Sequence, residues 1–174
     1  MILGLDMSTK KSGYALFNES EILSDFGVWE IPEQVSDWRE RILWMGEQVS
    51  RICKAYEITE IVCEDVPLMI NNPQTLKLLC ALQGVVLGVC VSHNVTPTFV
   101  GVTQWRKQLG MFTGNRKDMK RDEQKKASIE YANKTFGLNL IWKSKTSKFN
   151  QDDISDAILV AYSHILKERG NISG

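Results

Sequence analysis

Four carboxylates sit where apolar surroundings give them no obvious reason to be. Asp6 ends an apolar strand, Glu64 ends another after Ile61-Val62-Cys63, and Asp153 and Asp156 open a helix otherwise made of Ile154, Ala157, Ile158, Leu159, Val160 and Ala161. A carboxylate in such surroundings costs roughly several kcal/mol unless it is paired or bound to a cation. Four in one chain point to a shared cation site, and all-oxygen donors suit magnesium or manganese. The chemistry that such a site serves is that of phosphodiesters.

The elements that must position these groups follow from periodicity and breakers. Met1–Asp6, Gly13–Phe17 and Glu21–Ile31 read as three strands with short connections, which favours an antiparallel meander. Ser36 is the expected cap of a helix to about Tyr56, with Trp38, Ile42, Met45, Val49, Ile52 and Cys53 at helical spacing. Ile61–Val66 is a fourth strand. Because a helix precedes it, it is expected parallel to the first, which brings Asp6 and Glu64 to the same end.

Asn72-Pro73 opens a helix over about 73–92, Thr96–Val102 is a fifth strand, and Thr103 is the expected cap of a short helix ending at Gly110. A basic helix over about 118–136 stops at Gly137, and a last helix over about 151–168 stops at Gly170. On that last helix Asp153 and Asp156 share a face. Asp152 is explained by the helix dipole alone, and Asp65, on the opposite face of its strand from Glu64, reads as structural.

Bulk properties narrow the class. The 174 residues fit one domain with a proper core, at 43% hydrophobic and 24% charged. No secretory leader is expected, and the longest apolar run, Leu78–Val91, has 14 residues, short of the roughly 20 of a membrane span. Cys53, Cys63, Cys80 and Cys90 show no metal spacing and suit a reduced cytoplasm.

Net charge is zero but uneven. Residues 1–103 carry 7 Lys and Arg against 13 Asp and Glu, whereas 104–148 carry 12 against 4. A basic third in a neutral chain is the footprint of a polyanion. Arg106, Lys107, Arg116, Lys117, Lys120, Arg121 and Lys125, followed by Lys143, Lys145 and Lys148, are the expected phosphate contacts. The 73–92 helix is apolar nearly all round, with Gly84 and Gly88 allowing close approach, and is expected to face both the sheet and a second copy of the chain.

The three-strand, helix, strand, helix, strand, helices order is that of a ribonuclease-H-like fold, a mixed five-stranded sheet with helices on both faces. Ile2-Leu3-Gly4-Leu5-Asp6-Met7-Ser8, Ile61-Val62-Cys63-Glu64-Asp65-Val66 and Asp152-Asp153-Ile154-Ser155-Asp156-Ala157-Ile158-Leu159-Val160-Ala161 together resemble the three motifs of RuvC-type Holliday junction resolvases, most of all the compact ones encoded by bacteriophages. The resemblance implies a homodimeric endonuclease that cuts branched DNA (four-way junctions, forks, flaps) in pairs of nicks. It implies two Mg2+ or Mn2+ ions per site, with Asp6 bridging them, Glu64 on one and Asp153 with Asp156 on the other. By position it makes Lys107 and Lys126 the functional lysines, with Lys125 or Lys120 as alternatives for the second. It also implies that the loop holding Leu68, Met69 and Ile70 enters the junction. Without an aromatic there, sequence preference is expected to be weak.

The same opening motif resembles the phosphate loop of actin-like kinases, but those need a second domain and a second phosphate motif. A ribonuclease H acting on RNA–DNA hybrid, or a branched-DNA binder without catalysis, are the remaining alternatives.

Overall fold

The computed structural model describes residues 1–67, 70–112 and 120–170. Strand β1 (Ile2–Asp6) pairs antiparallel with β2 (Lys11–Phe17), which pairs antiparallel with β3 (Leu23–Glu30). Helix α1 (Trp38–Ala55) returns the chain so that β4 (Glu60–Glu64) lies parallel to β1, with Leu5 opposite Cys63. Helix α2 (Pro73–His93) leads to β5 (Thr96–Val100), parallel to β4. The sheet order is β3-β2-β1-β4-β5. Helices α3 (Val102–Gln108), α4 (Arg121–Phe136) and α5 (Asp152–Glu168) complete the chain.

Several boundaries differ from the sequence reading, each for a local reason. Asp37, not Ser36, caps α1, its carboxylate accepting from the Arg39 and Glu40 amides. The third strand begins at Leu23 because Asn18 claims the turn. Its backbone bonds both Glu21 and Ile22, its side chain accepts from the Ile22 amide, and Glu21 takes a positive φ of 58°. The fifth strand ends at Val100, and α3 starts from Gly101 without a side-chain cap, so Thr103 is already helical. Helix α4 begins at Arg121, its first turn tied by Glu123 accepting from the Lys120 amide at 3.3 Å. Helix α2 is 21 residues and is long and apolar enough to cross a membrane by length and composition, although Leu82, Val86 and Cys90 are buried.

The sheet separates two cores. Leu3, Leu5, Leu16, Ile61 and Cys63 pack with Val49, Val86 and Cys90 on the α1–α2 side. Ala15, Phe17, Val62 and Val100 pack with Trp105, Ile129 and the apolar length of α5 on the other. Helix α5 lies close on the sheet because two strand glycines make room for its backbone. A Cβ on Gly4 would stand 2.4 Å from the Ala157 carbonyl oxygen, and one on Gly13 would stand 1.9 Å from that of Asp153. Neither obstacle is a flexible side chain, so Gly13→Ala must push the first turn of α5 off β2. The expected result is a loss of about 2–3 kcal/mol in chemical denaturation. A wild-type midpoint would show that the turn is free to shift.

Candidate active site

Strand direction puts Asp6 and Glu64 together. β1 and β4 run parallel, both carboxylates follow buried residues, and both lie at the C-terminal ends of their strands. The N-terminus of α5 reaches the same place, since Gly13, opposite Asp6 in the ladder, touches the Asp153 backbone. Asp6, Glu64, Asp153 and Asp156 therefore converge at one pole of the sheet.

Their electrostatics show the crowding. Burial, then the charges of Glu64, Asp156 and Asp153, pushes the Asp6 carboxyl well above its ordinary range. Burial and Asp156 raise Glu64 to about 7, against the pull of the Trp105 indole, which donates to it at 3.0 Å, and of Arg106. Asp153 is raised by burial and by Asp152, with Lys11 opposing at 3.4 Å. Asp156 is raised by burial although Arg106 stands 3.3 Å away.

Three basic side chains hold the rim of this cluster, and only some were expected. Lys125 pairs with Asp152. Burial draws its ammonium down, but Asp152, Asp153 and Asp156 outweigh that and leave it above its usual range. Lys126, placed at the site by the resemblance, turns outward to Glu130 at 3.6 Å. Arg106, expected to contact phosphate, pairs with Asp156 at 3.3 Å. It is buried, donates to the Gln124 carbonyl at 3.0 Å, and lies over the Trp105 ring at 4.5 Å. Lys107, one residue on, is exposed, because the apolar positions Trp105 and Leu109 set the phase of α3 and turn Arg106 inward. Lys107, placed near the carboxylates by the resemblance, thus lies on the exposed face of α3. Lys11, which the sequence reading missed, also donates to the Asn150 carbonyl at 3.1 Å. Asp152, read as a dipole effect, is buried and paired. Asp65 points away and accepts from Gln83 at 3.1 Å.

The remaining expected contacts divide by position. Lys120, Arg121, Lys143, Lys145 and Lys148 are exposed. Lys145 and Lys148 line an open cleft of roughly 260 Å³ with Lys11, Lys125, Trp142, Asn150, Asp152 and Asp153. Ile70 is half-buried, and Leu68, Met69, Arg116 and Lys117 lie outside the described residues.

The donor set suits a hard divalent cation, since it is all carboxylate and its members repel one another. Among the described residues, no three such side chains are already gathered at ion-binding geometry. The physical reason is visible in the rim, where Lys11 and Arg106 hold Asp153 and Asp156 by ion pairs. A divalent ion would supply the positive charge that four crowded carboxylates lack, so the residues fit the group.

No protein-family model matches the chain. The crossover junction endodeoxyribonuclease RuvC of Helicobacter pylori (strain G27) is 29% identical over 164 residues, covering 94% of each protein. Among solved structures, Thermus thermophilus RuvC in complex with a Holliday junction substrate superposes with a TM-score of 0.70 at 14% identity, covering 99% of this chain and 97% of its own. The yeast mitochondrial Holliday junction resolvase Ydc2 gives 0.59 at 15% identity, covering 98% of this chain and 81% of its own. The fowlpox virus resolvase with its junction DNA gives 0.55 at 17%, covering 95% and 97%. The chain thus has the fold of the solved Holliday junction resolvases and is similar along nearly all of its length to a crossover junction endodeoxyribonuclease of the RuvC type.

Proposed function

We propose that the protein is a divalent-metal-dependent endonuclease that resolves Holliday junctions and other branched DNA by paired phosphodiester cleavage. The observation that carries this reading is the convergence of Asp6, Glu64, Asp153 and Asp156 at one pole of the sheet, where burial and then the charge of Asp156 raise Glu64 to about 7. Those four residues would hold two Mg2+ or Mn2+ ions. Bound ions supply a more acidic water and neutralise charge on the scissile phosphate.

The chain's own residues do the rest. The Trp105 indole fixes the Glu64 carboxylate, Arg106 orients Asp156, and Lys125 stands ready to pass from Asp152 to a phosphoryl oxygen. Lys145 and Lys148 carry the flanking backbone along the cleft. Lys125→Met is expected to slow cleavage about 100-fold. Lys126→Met, which loses only an exposed pair to Glu130, stays within about twofold. Equal effects in single-turnover cleavage would remove Lys125 from the site.

The functional form is a homodimer. Cys80, Gly84, Leu87, Gly88 and Val91 form one exposed stripe along α2, Val91 at 84%. Apart from the adjoining backbone and chain neighbours on α2 itself, nothing stands within 4 Å of where a Cβ would sit on Gly84 or Gly88. A second copy related by a two-fold axis fits this surface, and its site would face the symmetry-related strand of a junction. Sequence preference is weak, since the loop around Ile70 carries no aromatic. The similarity of the three motifs to those of compact phage resolvases supports a bacteriophage origin and action in the host cytoplasm.

The test is a panel of end-labelled four-way junction, fork, linear duplex and RNA–DNA hybrid, with Mg2+ or chelator. Metal-dependent nicks at branch points support the reading. Preferential cutting of the hybrid would make the protein a ribonuclease H, and binding without cutting would make it a junction-binding protein.

A further inference from the structure

Phe149 is 58% exposed at the edge of the cleft that holds Asp152 and Asp153. Its two chain neighbours, Lys148 and Asn150, both line that cleft. Two ammonium groups gather on its ring, Lys143 at 4.6 Å and Lys148 at 5.5 Å from the centroid. Two like charges flank a ring whose residue remains mostly exposed to solvent.

The segment that presents the ring has no regular structure, yet it is firmly framed. Asn150 is buried, its side-chain oxygen accepting from the Lys143 amide at 2.9 Å and its amide donating to the Ser144 carbonyl at 2.7 Å. Gln151 closes the base of the loop, its side chain accepting from the Ile141 amide at 2.8 Å and its own amide donating to the Ile141 carbonyl at 3.1 Å. The Phe149 amide donates to the Ser147 hydroxyl at 3.2 Å. A loop so fixed holds its aromatic in place before any ligand arrives, which lowers the entropy lost on binding.

We infer that Phe149 is a stacking platform for one unpaired nucleobase beside the scissile phosphate, with Lys143 and Lys148 taking the phosphates on either side of that base. Three features favour a base over a second protein surface. Aromatic stacking flanked by cations is the chemistry of single-stranded nucleic acid recognition. The ring is three residues before Asp152, on the layer of α5, whereas the apolar stripe of α2 lies across the sheet. And the surroundings are lysines and a polar cleft, not an apolar patch. Phe149 thereby draws the strand at a branch point, where bases are already unpaired, toward the carboxylates, and leaves intact duplex unselected.

This inference rests on the nuclease reading, and the experiment separates the two. Four-way junctions carrying single 2-aminopurines at the crossover nucleotides are bound in chelator, and the same junctions are cut in Mg2+. Wild type is expected to change the fluorescence of at least one probe. Phe149→Leu loses that change and slows junction cleavage about tenfold, the size of one lost stacked base. Phe149→Trp restores both, and all three proteins melt together, since the ring is mostly exposed. A Phe149→Leu protein with wild-type fluorescence and rate overturns the inference, as does a Phe149→Trp protein that behaves like Phe149→Leu. Failure of wild type to cut in Mg2+ overturns the nuclease reading, while the metal-free fluorescence still decides the stacking.

Discussion

Asp6→Asn is expected to abolish strand cleavage, by on the order of 10³-fold or about 4 kcal/mol of barrier, while making the metal-free protein more stable. The two effects have one cause. Asp6 is held well above its ordinary carboxyl range by burial and by Glu64, Asp156 and Asp153, so its charge is a liability to the fold and an asset to an ion site. The asparagine keeps the shape and removes the charge.

The sign in pH follows from the raised values. An acid whose folded pKa exceeds its unfolded one holds its proton more tightly in the fold, so its stabilising contribution is complete below the unfolded value. That contribution is lost as pH rises through the folded value. For Glu64 the window runs from about 4.5 to about 7, and Asp6 shifts in the same direction. Metal-free wild type should therefore lose stability across that interval, with Asp6→Asn pulling ahead of it at the alkaline side. Each kcal/mol of difference would appear as roughly 2–4 °C in Tm. Adding Mg2+ should close the gap by binding the folded wild type alone. Thermal melts of both proteins at several pH values, with and without Mg2+, check this. An Asp6→Asn protein less stable than wild type at pH 8 in chelator would show that Asp6 is a structural residue.

Gly88→Arg has the second large effect, and it falls on assembly. Gly88 is exposed on α2 and a side chain there meets nothing in the protomer, so the helix and its sheet contacts survive. Arginine is also a better helix former than glycine, by about 0.8 kcal/mol. On the stripe of Cys80, Gly84, Leu87 and Val91 it would instead place a long cation where a second α2 must approach. The expected protein is a folded monomer by sedimentation, with unchanged circular dichroism. It nicks one strand of a junction without coordinating the second cut. A Gly88→Arg dimer with paired nicks would move the interface elsewhere.

Much of this architecture was legible before any coordinates. The helix preceding β4 favours a strand parallel to β1, which places Asp6 and Glu64 at one end. The apolar run after Asp156 marks that residue as out of place on a helix facing solvent. What escaped is a matter of phase. Arg106 and Lys107 have the same charge, as do Lys125 and Lys126, and only the packing of Trp105 and Leu109 on α3 and of Ser128 and Ile129 on α4 decides which member turns inward. Likewise Ser36 and Asp37 are both good caps in adjacent positions, and the hydrogen bonds to Arg39 and Glu40 choose Asp37. Lys11 left no signal at all, because its partner Asp153 is 142 residues away along the chain.

The proposed dimer brings two metal-loaded carboxylate sites to the opposed strands of a DNA junction. This is tested most directly with a supercoiled plasmid that extrudes a cruciform, incubated with the protein in Mg2+. Linear product formed without accumulation of nicked circles, absent with Asp6→Asn and absent on a plasmid lacking the cruciform, is the expected result. An untouched plasmid, or equal nicking with and without the cruciform, would contradict it.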